Sequence, residues 1–309
     1  MYDHHNLTRI SEVLLLGFQN IHHLKILLFI IFFLIYIVTL SGNILIVWLV
    51  SVHHQLHNPM FLFLSLLSSS EVISTTNIVP KMLTILMKEG DFMPFSSCLA
   101  QFYIFSASTN SECFLLSVMS YDRYLAICNP LRYISIMDLK LQLKLVVWSC
   151  LTGLMVTLLI TLLVNKLQFC GPSVIDHFFC DLAPLLELSC SDTTMVETQA
   201  FIFSVPVIVF PFIFIVATYV FISIAIIRIT SSDTRQKAFS TCSSHLAVVF
   251  IYYGTLISVY LFPLRGHSPS VSKVLSLLYI LVTPLFNPII YSLKNQEIQT
   301  AIKKSIFRF

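Results

Sequence analysis

The chain has 309 residues, of which 57% are hydrophobic and 11% are charged, and its formal net charge is +3. A soluble domain carries about 25% charged residues, so this composition excludes an ordinary soluble protein and indicates an integral membrane protein. The small net charge disfavours nucleic acid as a partner. We expect one membrane-embedded domain over residues 1–309, with no separate soluble domain.

Seven apolar segments are predicted to cross the membrane as helices, because about 20 mostly apolar residues span the hydrocarbon layer. No basic region and cleavable apolar segment precede the first of them, so we expect that span to act as the insertion signal. The sequence thus predicts an all-α membrane protein, a seven-transmembrane helix bundle. In chain order the predicted spans are residues 26–50, 60–87, 98–128, 145–164, 200–227, 238–262 and 274–293.

The orientation follows from the loops, because lysine and arginine collect on the cytoplasmic side of membrane proteins. One set of loops holds most of the basic residues and the other holds most of the acidic ones. This asymmetry makes residues 1–25 extracellular and the tail, residues 294–309, cytoplasmic. Asn6 begins an N-x-T sequon on the outer side and is a candidate glycosylation site. In the tail, Ile298, Ile302 and Ile306 recur every four residues, which predicts a short amphipathic helix on the inner membrane leaflet.

Four of the eight cysteines, Cys98, Cys170, Cys180 and Cys190, fall on the predicted outer side, where disulfides form. Four cysteines allow three pairings, and the residues alone do not choose among them. A rival interpretation is a metal site formed by His177 and Cys180, although a disulfide would consume the thiolate that a metal needs.

Two carboxyl groups, Glu71 and Glu112, fall inside predicted spans. A charged side chain near the bilayer centre costs about 2.5–3.5 kcal/mol, so we expect these groups to be protonated, paired, or sharing a cation. Asn43 and Asn287 are polar residues at a similar predicted depth, and we therefore group them with the two acids.

Several helix faces carry aromatic and small polar residues at helical spacing in the outer half of the predicted bundle. The third span shows the pattern most clearly, with a stripe at positions i, i+3, i+4, i+7 and i+8. No charged residue lies on these stripes, so a ligand bound there should be neutral, small and mostly apolar. The stripes contain Phe102, Phe105, Ser106, Thr109 and Asn110 in the third span, Phe203, Ser204 and Val207 in the fifth, Tyr253, Leu256, Ile257 and Tyr260 in the sixth, and Tyr279 in the seventh.

Six motifs carry a resemblance to a known family. The segment MSYDRYLAICNP at residues 119–130 places the acid–base pair Asp122 and Arg123 at the end of the third span, and KAFSTCSSHL at residues 237–246 opens the sixth. With LLGF, PMFLFLS, VPKML and PLFNPIIYSLKN, these strings closely resemble the signatures of olfactory receptors, a branch of the rhodopsin-like G-protein-coupled receptors. The resemblance covers nearly the whole chain. One departure is Glu71, where the family usually has Asp.

The resemblance implies an odorant receptor at the plasma membrane of olfactory cilia, without enzymatic activity, that binds the odorant on the stripes above. Its partner would be a stimulatory, olfactory-type heterotrimeric G protein that raises cyclic AMP. It also implies the disulfides Cys98–Cys180 and Cys170–Cys190. Asn43, Glu71, Glu112 and Asn287 would form a polar cluster able to hold sodium, the one cofactor expected. The implied coupling and switch residues are Asp122, Arg123, Tyr124, Tyr219, Lys237, Asn287, Pro288 and Tyr291.

Two other classes compete with a receptor. A transporter would show internal repeats and helices broken near the midplane, and the sequence has no repeat and few glycines. A membrane enzyme would need a catalytic cluster, but His177 lies on the opposite side of the membrane from His53, His54 and His57. Within the receptor class, a chemoreceptor for a non-odour metabolite in another tissue stays open.

Overall fold

The protein is mostly helical in a computed structural model that describes residues 10–19, 21–170, 173–260 and 269–306. Seven long helical stretches make up the bundle in this described part. The last of them is interrupted by a π-helical turn, Leu278–Val282, between α9 and α10. The helices are α1 (Lys25–Val52), α2 (Pro59–Lys88), α3 (Phe95–Cys128), α4 (Pro130–Ile136), α5 (Leu139–Val164), α6 (Leu182–Glu187), α7 (Thr194–Ile227), α8 (Ser232–Tyr260), α9 (Pro269–Leu277), α10 (Thr283–Lys294) and α11 (Gln296–Ile306).

Five of the described helical stretches are long and apolar enough to cross a membrane: α1, α2, α5, α7 and the combined stretch Ser270–Lys294. The other two long helices, α3 and α8, coincide with the third and sixth predicted spans. Helix α3 is long enough to cross but carries several polar and charged side chains, while α8 has a shorter apolar part, Cys242–Ser258, after a polar start. These two long helices, α3 and α8, contain most of the segment MSYDRYLAICNP and all of the segment KAFSTCSSHL, respectively.

Apolar side chains cover the outside of the bundle as well as its core. Trp148 on α5 and Phe210 on α7 are 66% and 68% exposed, with many other large apolar residues beside them. Such a surface suits lipid and not water. Helix α3 lies at the centre and packs against α2, α5, α7 and α8. Its Phe105 ring also lies 5.6 Å from the ring of Tyr279, so α3 meets every other helix that carries a predicted ligand stripe.

A small three-stranded sheet closes the outer end of the bundle. Strand β1 (Glu12–Leu15) lies in the middle, antiparallel to β2 (Asp91–Pro94) and parallel to β3 (Val174–Ile175). The sheet joins the N-terminal segment, the loop after α2 and the loop after α5. The apolar patterns of the sequence did not predict this sheet.

The tail forms the predicted amphipathic helix, α11, with Ile298 buried and Ile302 half-buried. Helix α11 is held against the first inner loop by two hydrogen bonds. Lys304 Nζ donates to Gln55 Oε1 at 2.9 Å, and the Ser305 hydroxyl lies 2.8 Å from Nε2 of His53. The predicted boundaries of the spans differ from the observed helices by up to six residues, because helix ends extend beyond the apolar segment into polar flanks.

Candidate ligand cavity and cytoplasmic switch

An outer cavity of about 80 Å³ lies between α3, α5, α7 and α8. The stripe spacing on α3 explains part of its wall, because residues at i, i+3, i+4, i+7 and i+8 face the same side of a helix. Six of the predicted ligand residues meet there: Phe102, Ser106, Thr109, Asn110, Ser204 and Leu256.

The other predicted ligand residues lie around or below this cavity. Phe105 and Tyr279 line a second, deeper cavity. Tyr253 is buried, with its hydroxyl donating to the Cys113 carbonyl at 3.2 Å and its ring 5.1 Å from that of Phe212. Val207 is buried, Phe203 and Ile257 are half-buried, and for Tyr260 the structure describes the backbone only.

A lid formed by residues 174–180 of the outer loop lies over the cavities. The disulfide Cys98–Cys180 ties this lid to the top of α3, and the second disulfide, Cys170–Cys190, closes the loop on itself. These are the two pairs that the resemblance implies. Because the Cys180 sulfur is bonded to Cys98, it is not available as a thiolate to a metal at His177.

Aromatic rings pack the lid onto the bundle. The ring of Phe179 lies 5.3 Å from that of Phe105 in an edge-on contact, and Phe178 stacks on Phe18 of the N-terminal segment at 5.1 Å. Gln101 Oε1 on α3 accepts a hydrogen bond of 3.0 Å from the backbone N–H of Cys180. The lid therefore rests on α3 through a disulfide, a ring contact and a hydrogen bond.

An ion pair closes the side of the lid that faces the last helix. Lys273 Nζ lies 2.6 Å from Oδ1 of Asp176, and Nε2 of the buried His177 lies 3.5 Å from the Ser276 hydroxyl. Burial, together with the positive charge of Lys273, lowers the pKa of His177 from 6.5 to about 3, against the opposing effect of Asp176. His177 is thus a neutral ring while the lid is closed.

Thr109 connects the outer cavity to the deeper one. Its hydroxyl accepts a hydrogen bond of 2.7 Å from Tyr279, and its carbonyl accepts one of 2.7 Å from Tyr252. Tyr252 and Tyr279 both line the deeper cavity, while Thr109 lines the outer one. A change at the wall of the outer cavity can therefore reach the deeper cavity through one residue, Thr109.

The deeper cavity has a volume of about 10 Å³, room for about one water molecule, and is lined by both predicted acids, Glu71 and Glu112. Asn287 donates a hydrogen bond to Oε1 of Glu71. Asn43 is anchored by its amide N–H groups, which donate to the carbonyls of Thr39 at 3.1 Å and Pro284 at 3.2 Å. The structure brings the two acids and Asn287 together and holds Asn43 against α10, the helix that carries Asn287.

Four buried oxygen atoms of these residues have no hydrogen-bond partner within the described ranges. They are Oε2 of Glu71, Oε1 of Glu112 and the Oδ1 atoms of Asn43 and Asn287. Buried polar atoms normally have a partner. Three arrangements would satisfy such oxygens: uncharged carboxyl groups, a bound water molecule, or a hard cation. The third is chemically suitable because Na⁺, Mg²⁺ and Ca²⁺ all take oxygen ligands.

At the cytoplasmic end of α3, the guanidinium of Arg123 pairs with Oδ2 of Asp122, with Nε at 3.0 Å. Tyr133 of α4 donates a hydrogen bond of 2.8 Å to the other oxygen of the same carboxylate. Asp122 is fully buried, while the Arg123 side chain is 18% exposed. The pair is therefore reachable from the cytoplasm through the arginine only.

The remaining predicted switch residues lie on the helices around this pair. The Tyr219 hydroxyl is 2.7 Å from Nδ1 of His245 across α7 and α8, and the Tyr124 ring packs 6.2 Å from that of Phe221. The buried Tyr291 hydroxyl has no partner in the described part of the chain.

Pro288 lies against Gly42, where an added Cβ would come within 3.0 Å of the proline, so α1 and α10 touch closely near the deeper cavity. Two further predicted positions join Tyr260 in having no described side chain: Asn6 lies outside the described residues, and for Lys237 the structure describes the backbone only.

Comparison with known sequences decides the family. A profile of the olfactory receptor family matches residues 32–308. The chain belongs to the olfactory receptor family. It is similar to human olfactory receptor 11L1, at 46% identity over 98% of this chain and 94% of that protein. It is also similar to human olfactory receptor 10A7 (48% identity, 97% and 95% covered) and to mouse olfactory receptor 5G25 (44% identity, 97% and 94% covered). Family membership makes the chain a seven-helix membrane receptor.

The outer cavity of this olfactory receptor has a wall that the helix stripes did not predict. Val156, Thr157 and Ile160 of α5 line it, and Asp181 and Leu182 reach it from the outer loop. Asp181 caps the N-terminus of α6, where its carboxylate accepts a hydrogen bond of 2.8 Å from the Leu182 backbone N–H. The sequence did contain an indication of this wall. Asp181 directly follows Cys180, and the implied disulfide Cys98–Cys180 brings Asp181 to the top of α3.

Proposed function

We propose that this olfactory receptor binds a small, neutral, mostly apolar odorant in the outer cavity and activates a stimulatory, olfactory-type G protein that raises cyclic AMP. The observation that carries the proposal is the outer cavity itself, which lies next to the lid and is connected by Thr109 to the deeper cavity. A ligand that changes the position of Thr109 also changes the hydrogen bonds of Tyr252 and Tyr279.

The lining sets the expected ligand chemistry. Phe102, Ile208 and Leu256 provide apolar surface, while Ser106 and Ser204 provide hydroxyl groups. Asp181 also lines the cavity, but its carboxylate already accepts a hydrogen bond of 2.8 Å from the Leu182 backbone N–H, so we keep a neutral ligand as the proposal. Burial of about 250 Å² of apolar ligand surface contributes about 6 kcal/mol, whereas one hydrogen bond contributes about 1 kcal/mol. Shape and apolar area therefore dominate affinity, which should lie in the micromolar range.

The cytoplasmic end supports coupling to a G protein. On activation Arg123 would leave Asp122 and turn to the G-protein tail, alongside Tyr219 and Tyr291. Helix α4 adds two apolar side chains for docking, because Leu131 is 99% exposed and Ile134 is 84% exposed. Large apolar side chains exposed together commonly mark an interaction site.

Cyclic AMP production in cells tests the proposal. Cells with the receptor at the plasma membrane, checked by labelling of an extracellular tag, are scanned with a panel of neutral volatile molecules. Wild type and Arg123→Ala are measured side by side. A response that disappears in Arg123→Ala at equal surface level supports both ligand class and coupling. Equal responses in the two proteins would contradict the role given to Arg123.

We also propose that Glu71, Glu112, Asn43 and Asn287 hold a sodium ion in the deeper cavity. The unpartnered oxygens of these four residues support it, since oxygen donors suit a hard cation. The test is the thermal unfolding of purified receptor in sodium chloride and in choline chloride. A sodium-dependent rise in melting temperature should be present in wild type and absent in Glu71→Gln and Glu112→Gln. An equal rise in all three proteins would exclude this site.

A further inference from the structure

Two histidine rings meet on the first inner loop. His54 begins a short 3₁₀ turn, His54–Leu56, and His57 follows it directly. Residues three apart lie on the same side of a 3₁₀ turn, so the two side chains face each other. Their Nδ1 atoms are 3.3 Å apart, and the ring centroids are 4.8 Å apart at an interplanar angle of 77°. Both residues are exposed to the cytoplasm.

This separation matches the distance between two ligands of one tetrahedral metal ion. With metal–nitrogen bonds of about 2.0–2.1 Å, tetrahedral geometry places two coordinated nitrogens about 3.3 Å apart. The same distance also allows a hydrogen bond from one Nδ1–H to the other Nδ1. When a metal binds both Nδ1 atoms, the proton of that hydrogen bond moves to Nε2 of the same ring. The metal replaces one hydrogen bond and requires no net loss of a proton.

The neighbouring side chains are engaged elsewhere. Nε2 of His53 lies 2.8 Å from the Ser305 hydroxyl, and Gln55 accepts a hydrogen bond from Lys304 at 2.9 Å. Within the described part of the chain, no third His, Cys, Asp or Glu joins the two rings in a potential metal cluster. A pair of imidazoles without carboxylates disfavours Mg²⁺ and Ca²⁺ and favours cations that prefer nitrogen ligands.

We propose that His54 and His57 form a two-ligand site for a divalent cation of the Zn²⁺ and Cu²⁺ class, with water in the remaining coordination positions. The site lies between the end of α1 and the start of α2. There Asn58 caps α2, because its Oδ1 accepts a hydrogen bond from the Phe61 N–H. A bound cation therefore fixes the turn that joins these two helices. The proposal does not depend on the odorant or on G-protein coupling.

Electron spin-echo spectroscopy of Cu²⁺ supplied as its iminodiacetate complex tests the site. Iminodiacetate occupies three coordination positions, so a pair of close imidazoles can bind the remaining ones. The full receptor, purified with an affinity tag that contains no histidine, is reconstituted in lipid nanodiscs. Wild type should give the signal of two coordinated imidazoles, and added Zn²⁺ should abolish it. His54→Ala and His57→Ala should each lose the two-imidazole signal, while the matched control His53→Ala should keep it.

Three results would overturn the proposal: one imidazole or none in wild type, a two-imidazole signal that persists in His54→Ala, or its loss in His53→Ala. The second result would assign the copper to other histidines, and the third would make His53 a ligand. If His54→Ala or His57→Ala lowers the yield of folded receptor, His54→Gln and His57→Gln replace them. These variants keep a polar side chain on the exposed turn and remove the imidazole.

Discussion

Tyr133 donates a hydrogen bond of 2.8 Å to one carboxylate oxygen of Asp122, and Arg123 holds the other oxygen. Burial and the neighbouring Asp122 raise the pKa of Tyr133 above its ordinary value, so the phenol stays a donor at neutral pH. Tyr133 therefore satisfies a buried carboxylate in the arrangement that pairs Arg123 with Asp122.

Tyr133→Phe should raise signalling in the absence of ligand. The substitution leaves a buried carboxylate oxygen without its partner, which costs about 1–3 kcal/mol. That cost raises the free energy of the inactive arrangement. A rise of about 1.4 kcal/mol shifts the equilibrium toward the active arrangement about tenfold. The measurement is basal cyclic AMP per receptor at the cell surface. Tyr121→Phe is the control, because Tyr121 packs against Phe214 and contacts neither Asp122 nor Arg123 through a hydrogen bond. Equal basal signalling in Tyr133→Phe and wild type would contradict the role of this contact.

Thr109→Val should lower odorant potency about tenfold, because it leaves the buried Tyr279 hydroxyl without its partner at a cost of about 1–3 kcal/mol. Tyr279→Phe removes the other member of the same hydrogen bond. The double variant should lose less than the sum of the two single losses, since neither side then keeps an unpaired group. Odorant dose–response curves for the four proteins check this. Strictly additive losses would show that the bond does not link the cavities.

The lid should open more readily in acid. The pKa of His177 is lowered from 6.5 to about 3 when the lid is closed, whereas an open lid exposes the ring and restores its ordinary pKa. Above pH 6.5 both forms are neutral and this residue adds no pH dependence. Below pH 6.5 the ring binds a proton in the open form but stays neutral in the closed form. The closed form is therefore destabilised relative to the open form by about 1.4 kcal/mol per pH unit, or about 2 kcal/mol at pH 5. Asp176 and Lys273 also face this ring.

Hydrogen exchange of residues 174–180, corrected for the intrinsic effect of pH, measures this opening. Exchange should accelerate in wild type between pH 7.5 and pH 5.5 and stay nearly constant in His177→Gln, which cannot titrate. An equal acceleration in both proteins would assign the effect to the Lys273–Asp176 ion pair or to another group.

Gly153→Ala should destabilise the receptor, because α3 and α5 touch at this position. An added Cβ would lie 2.3 Å from the Ser111 hydroxyl and 2.9 Å from the Ala107 carbonyl, so the helices must separate. Overpacking of this kind costs about 1–3 kcal/mol. Gly254→Ala on α8 is the matched control, since nothing lies within 4 Å of its added Cβ. Thermal unfolding in detergent should show a lower melting temperature for Gly153→Ala only, and equal values would refute the tight contact.

The sequence predicted the spans because their apolar composition is a local property, and each predicted span coincides with a long helix. It also predicted the stripe on α3, since helical spacing alone brings Ser106, Thr109 and Asn110 to one side. The π-helical turn around Tyr279 was not predicted, because the apolar pattern of the last span does not distinguish an α-helical from a π-helical turn. That turn contains the residue that contacts Thr109.

The wall that α5 and the outer loop contribute was missed for a different reason. Thr157 lies on a helix without a clear polar stripe, and it is tied to the cavity by a hydrogen bond of 3.0 Å from Asn110. Asp181 comes from a loop whose path depends on distant partners. Contacts between segments far apart in sequence leave no periodic signal in either segment.

Strand β1, near the N-terminus, lies between β2 and β3, and its partner β3 follows it by about 160 residues. During synthesis the N-terminal segment is made first, yet the strand that completes its sheet is made only after the four spanning helices α1, α2, α3 and α5. Contacts of such long sequence separation form slowly, because the intervening chain must be ordered first. The sheet on the outer face of this receptor is therefore completed only after the fourth span has been made, and until then β1 keeps one unpaired edge, which is a site where strands of other chains can add.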